Sequence, residues 1–124
     1  GARERMLQAA AVLIVLLGIA HSVLGERYIL TRLFRRELPT LFGGPEFTRS
    51  TLRFAWHLTT VLAFALGAVL WLLAGNPSAE LLARVLGWFL VVSGLLPLVF
   101  TRGRHLSWVV LFAAGGLCLA WAPP

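Results

Sequence analysis

Histidine titrates nearest to neutral pH of all side chains and serves equally as an acid, a base and a metal ligand. This chain has three, His21, His57 and His105. Each stands at the end of a long apolar stretch, and alternation of the chain across a membrane returns those ends to one side. Neutral imidazoles from three helices suit zinc, copper, iron or nickel and would leave one position open for water or substrate. Glu26 would then be a fourth ligand or a group that orients one of the rings.

Two other ligand chemistries use the same residues. His21 and His57 have similar depth, as the two axial ligands of a b-type haem require, and Gly18, Ser22 and Gly25 would make room for the ring. An amphiphile such as a quinone or an anionic lipid would instead place its head near His57, Thr60 and the loop arginines, with its tail between helices. The expected ligand-binding set is therefore His21, Glu26, His57, Thr60 and His105, of which the three histidines are the candidate metal ligands.

Spacing alone does not assemble this site. Glu26 follows His21 by five residues, which places the two roughly 140° apart on an ideal helix, so they share a face only if the helix unwinds. No HExxH motif is present, and a histidine near a helix end can simply offer its ring to interfacial water or a carbonyl. Nucleophilic catalysis has little support: Ser22, Ser93 and Ser107 lack an elbow or triad context, and the chain has no aspartate. No catalytic residue is assigned.

The elements that must position these residues follow from composition. In 124 residues, 59% are hydrophobic and 13% charged, far from the balance of soluble domains. Residues 6–25, 54–74, 81–100 and 106–121 approach the roughly 20 apolar residues that cross a hydrocarbon core. The first of these reads as a retained helix, since no small-residue cleavage site follows it. The expected fold is all-α, a single domain of four transmembrane helices in an up-down-up-down bundle. Between the first two spans, residues 28–38 carry Leu30, Leu33, Phe34 and Leu38 at helical spacing before Pro39, the pattern of an amphipathic helix lying at the interface or, alternatively, of the first span continued beyond the bilayer.

Small residues mark the expected contact stripes: Gly18, Ser22 and Gly25, then Ala63 and Gly67, Gly87 and Gly94, and Gly115 and Gly116. Ser78 is placed to cap the third helix, and Glu80 and Arg84 stand at ion-pair spacing near its start. The lone Cys118 excludes an intramolecular disulfide and reads as a packing residue.

All eleven basic residues are arginines, against five glutamates, for a formal charge of +6. Arg27, Arg32, Arg35, Arg36, Arg49, Arg53, Arg102 and Arg104 lie in two loops on one side, and only Arg3, Arg5 and Arg84 on the other. The positive-inside rule puts the Arg-rich loops in the cytoplasm and both termini outside, as in a bacterial inner membrane. Trp56, Trp108 and Tyr28 then mark the inner interface, and Trp71 and Trp121 the outer one. Arginines beside apolar spans point to anionic lipid head groups as partners rather than to nucleic acid. So small a chain also exposes enough helix surface for a homo-oligomer.

Within the spans, His21, Ser22, His57, Thr59, Thr60, Ser93, His105 and Ser107 fall in the cytoplasmic half, and the outer half has almost no polar residue. A transmembrane path needs polar groups throughout, so the asymmetry favours a one-sided pocket. The reading is a ligand- or metal-binding or accessory membrane protein. The alternatives are a membrane redox protein or enzyme using the histidine cluster, and a small transporter completed by oligomerisation.

Overall fold

The computed structural model describes residues 1–123. Among them there are four helices and no strand. Helix α1 begins as Ala2–Leu24, widens into a π-helical segment over Gly25–Leu30, and closes with a last α-helical stretch, Thr31–Leu33. Helix α2 is Glu46–Leu73, α3 is Ala79–Phe100 and α4 is Ser107–Trp121. The continuous helices Ala2–Leu33, Glu46–Leu73 and Ala79–Phe100 are long and apolar enough to cross a membrane. At about 1.5 Å per residue, the 15 residues of α4 reach about 22 Å, short of a full hydrocarbon core.

Helices adjacent in sequence pack together, α1 on α2, α2 on α3 and α3 on α4. Among the described residues α1 makes no comparable contact with α4, so the bundle is an open row rather than a closed ring. The outside of the row is apolar, with Leu13, Leu17, Val99, Val110 and Leu117 all exposed, and Trp88 turns outward with them. In water such a surface would be a liability, whereas against lipid it is the required one.

The expected interfacial helix does not form as a separate element. Residues Thr31–Leu33 continue α1, the amides of Arg35 and Arg36 bond back to Arg32 and Leu33, and the helix then ends. Pro39 disfavours helical geometry at Leu38, and the chain runs through a tight turn at residues 41–44 into α2. There the expected loop holds, with Phe42 and Gly43 both at positive φ.

At the start of α3 the Ser78 hydroxyl accepts from the Leu81 amide at 3.1 Å, a normal N-cap. Glu80 and Arg84 do not pair. Arg84 donates instead to the Pro123 carbonyl at 3.2 Å, tying α3 to the end of α4, because the carbonyl lies within reach of its long side chain while Glu80 stays at the surface. Pro97 is buried within α3, and the Thr101 hydroxyl donates to its carbonyl at 2.6 Å.

The small residues do set helix approach, with one exception. A Cβ on Gly115 would lie 2.8 Å from the Gly87 carbonyl oxygen and 2.9 Å from Val91, so α3 and α4 meet backbone to backbone. Gly94 similarly accommodates the Phe112 ring, and Gly67 accommodates Val15. Gly116 faces open space. Gly115→Val is therefore expected to destabilise the α3–α4 pair by about 1–3 kcal/mol, as overpacking does. Gly116→Val should stay within about 0.5 kcal/mol. Unfolding of both variants in mixed micelles checks the contrast, and equal loss in both would refute it.

Candidate functional site

The polar residues of α1 meet those of α2 at the Arg-rich end of the molecule. On α2, Arg53, His57 and Thr60 recur at i, i+4 and i+7 and so share one helix face. On α1, Ser22 and Glu26 stand one turn apart. The π-helical segment begins at Gly25, beside Glu26, and such widened turns shift the side chains that follow them. His21 and Glu26 both reach α2, His21 at the Trp56 carbonyl and Glu26, on the face of Ser22, at His57 and Arg53.

His57 bridges the two helices with both ring nitrogens. Its Nε2 donates to Glu26 Oε1 at 2.8 Å, and its Nδ1 lies 2.8 Å from the Ser22 hydroxyl. Ser22 is in turn 2.5 Å from the Thr60 hydroxyl, which donates to the Gly18 carbonyl at 3.2 Å. Arg53 closes the other end of this line, donating from Nε and Nη2 to the two oxygens of Glu26 at 2.9 and 3.3 Å. Paired in this two-pronged way, the carboxylate is held in a fixed orientation. The Arg53 guanidinium also lies 5.0 Å from the Phe34 ring centroid, and that of Arg49 lies 5.8 Å from it, fastening the end of α1 to the start of α2.

Directly beside this line, His21 and Trp56 form a reciprocal pair. The Trp56 indole donates to the His21 carbonyl at 2.7 Å, and His21 Nε2 donates to the Trp56 carbonyl at 3.0 Å. Their rings stack, with centroids 4.4 Å apart and planes within 3°. Gly25 makes this possible, since any Cβ there would overlap the indole, its nitrogen foremost.

His105 belongs elsewhere. Its Nδ1 accepts from the Ser107 hydroxyl at 2.7 Å and from the Ser107 amide at 3.4 Å, and its own amide donates to Thr101 Oγ1 at 3.0 Å. The ring packs edge-to-face on Phe54 at 4.9 Å and parallel to Phe47 at 6.0 Å. It orders the turn before α4 and points away from the line of polar groups on α1 and α2.

Of the residues expected to act together, the structure therefore joins Glu26, His57 and Thr60, sets His21 alongside them, and separates His105. Among the described residues no three His, Cys, Asp or Glu side chains gather to hold a metal ion. The three-histidine centre is not assembled, because each imidazole has its own partner on a different element. Axial ligation of haem by His21 and His57 meets the same obstacle: His21 lies flat on Trp56, and both nitrogens of His57 are engaged. Ser22, already counted among the polar residues at this end of the spans, joins the site, and Arg53 and Trp56 take part although the sequence pointed to them only as a loop charge and a belt aromatic. The i, i+4, i+7 stripe of Arg53, His57 and Thr60 was the signal that could have found Arg53.

Comparison with protein-family profiles, with curated proteins and with solved structures returns no match, so the chemistry of the site rests on its own geometry.

Proton counting defines that chemistry. Four contacts run from the Glu26 carboxylate through His57, Ser22 and Thr60 to the Gly18 carbonyl. Both ends only accept, so each contact needs its own proton. Two hydroxyls supply one each, and a neutral imidazole supplies a third. Only imidazolium completes the set, with Nδ1 donating to Ser22, Ser22 to Thr60 and Thr60 to Gly18. With His57 neutral the line is one proton short, and one of its four contacts goes without. The line is thus fully bonded in one protonation state and lacks one bond in the other.

Nitrogen NMR of the labelled histidines should resolve a state in which both His57 nitrogens bear protons while His105 keeps a bare Nδ1. A His57 ring with one bare nitrogen under every condition would contradict the count. Gly25→Ala should displace Trp56 from the His21 carbonyl and destabilise the α1–α2 pair by about 1–3 kcal/mol. An unchanged tryptophan indole proton shift would show that the close approach is dispensable.

Proposed function

We propose that this is a small polytopic integral membrane protein of the binding or accessory class, with a ligand site on α1 and α2 that opens sideways toward the lipid. The observation that carries the reading is a shallow open groove lined by Ser22, Val23, Glu26, Arg27, Thr31 and His57. Its polar walls are the same side chains that are locked between the helices, so a ligand meets groups already oriented and loses little further freedom on binding. The arginine bias supports an orientation with this end in the cytoplasm and both termini outside.

The distribution of polar groups favours binding over the alternatives. Ser22 lacks free backbone amides around it that could stabilise an oxyanion, because it sits within the regular part of α1. Toward the other end of the same helices, the space between α1 and α2 is bordered by Ala11, Val15, Phe64 and Gly67, which offer no path for an ion.

The test is a titration of the purified protein, carrying labelled histidine, with a polar lipid extract of the cells that produce it. The His57 ring signals are expected to shift and saturate, while those of His105 stay in place. No saturable change at His57 would remove the binding reading.

A further inference from the structure

Resting on that binding reading, we infer that the groove holds an anionic phospholipid, with its phosphate at Arg27 and one acyl chain laid along the seam between α1 and α2. The polar groove does not stop at the polar cluster. On α1, Ser22 and Glu26 lie in line with Ala11 and Val15, and on α2, His57 lies in line with Phe64, Ala68 and Trp71. Ala11, Val15, Phe64, Gly67, Ala68 and Trp71 border an apolar groove on that same side of the helix pair. Phe64 lies over Gly18, between the polar and apolar stretches.

Length and charge both identify the occupant. From His57 to Trp71 the helix rises about 21 Å, enough to seat a chain covering one leaflet, half of a hydrocarbon core of about 30 Å, and more than a compact ligand needs. At the polar end, Glu26 is already neutralised by two bonds from Arg53 and one from His57. Arg27, held 5.4 Å over the Tyr28 ring, has no carboxylate partner among the described residues. The polar end therefore carries surplus positive charge beside the Thr31 hydroxyl, which suits a phosphate ester and disfavours a cationic or neutral head.

Native mass spectrometry of the detergent-solubilised protein, with equal amounts of phosphatidylglycerol and phosphatidylcholine added, tests the assignment. Phosphatidylglycerol should be retained several-fold in excess. Arg27→Gln should lower that retention about fivefold, the worth of one arginine at an anionic surface. Ala68→Phe, which fills the apolar groove far from the head, should lower it several-fold with the His57 ring signals unchanged. Val12→Phe fills the same stretch from α1 and decides the matter if the first variant fails to fold. Arg104→Gln, outside the groove, should leave retention as it is. Equal retention of the two lipids, or retention untouched by Arg27→Gln and by both groove fillers, overturns the inference. If the lipid extract still shifts His57 in that case, the binding reading survives and only the lipid assignment falls; if it does not, both fall.

Discussion

Between two apolar helices a carboxylate, an imidazole and two hydroxyls have few partners besides one another, and each polar group buried without one costs several kcal/mol. The line from Glu26 through His57, Ser22 and Thr60 to the Gly18 carbonyl is the arrangement that removes this cost, and the first two helices are shaped around it. Gly18 lets α2 close up on α1, and Gly25 leaves room for Trp56. Glu26, one turn on from Ser22, meets the other nitrogen of His57, and Arg53 supplies the countercharge. Moving any one of these strands a polar group at the interface, so their positions are set jointly rather than one by one.

The other half of the molecule is held together by the opposite means. Between α3 and α4 there is no polar bridge comparable to His57; Gly87 and Gly115 instead bring the backbones together, and Phe112 fills the space over Gly94. The hydroxyls of α3 are satisfied by their own segment, Ser93 donating to the Phe89 carbonyl and Thr101 to the Pro97 carbonyl. One pair of helices is joined by hydrogen bonds and the other by close packing, and α2 connects the two. In such an open row, loosening α1 from α2 leaves the α3–α4 contacts untouched.

Features governed by local chemistry were legible in the sequence. The apolar stretches, the Ser78 cap, the turn at residues 41–44 and most of the glycine contacts follow from rules that span a few residues. What stayed hidden depends on contacts between helices. Glu26 looked misplaced by about 140° because its angle was taken from His21, whereas Ser22, one turn before it, is the residue that shares its face on His57. Trp56 matched an interfacial belt in sequence, yet its indole is turned inward onto His21. His105 shares its end of the molecule with the other histidines, and common depth was mistaken for a common site. Depth follows from the alternation of spans, whereas direction around each helix axis is fixed only when the helices pack. Arg84 makes the same point, since its spacing from Glu80 was right for an ion pair and a distant carbonyl won.

The hydrogen-bonded line has a direction, and its direction limits what it can do. At one end Glu26 and Arg53 are both partly exposed, at 36% and 38%. At the other, Thr60 is buried and donates to a helix carbonyl, an acceptor that holds no proton to pass on. Beyond it the two helices present Val15, Ala11 and Phe64, which neither donate nor accept. A proton wire would need a donor or acceptor able to pass a proton on beyond Thr60, and among the described residues the next groups along both helices are apolar. The line is therefore a local bridge between α1 and α2, open at Glu26 and closed at Gly18, and its geometry suits a one-sided site rather than a path across the molecule.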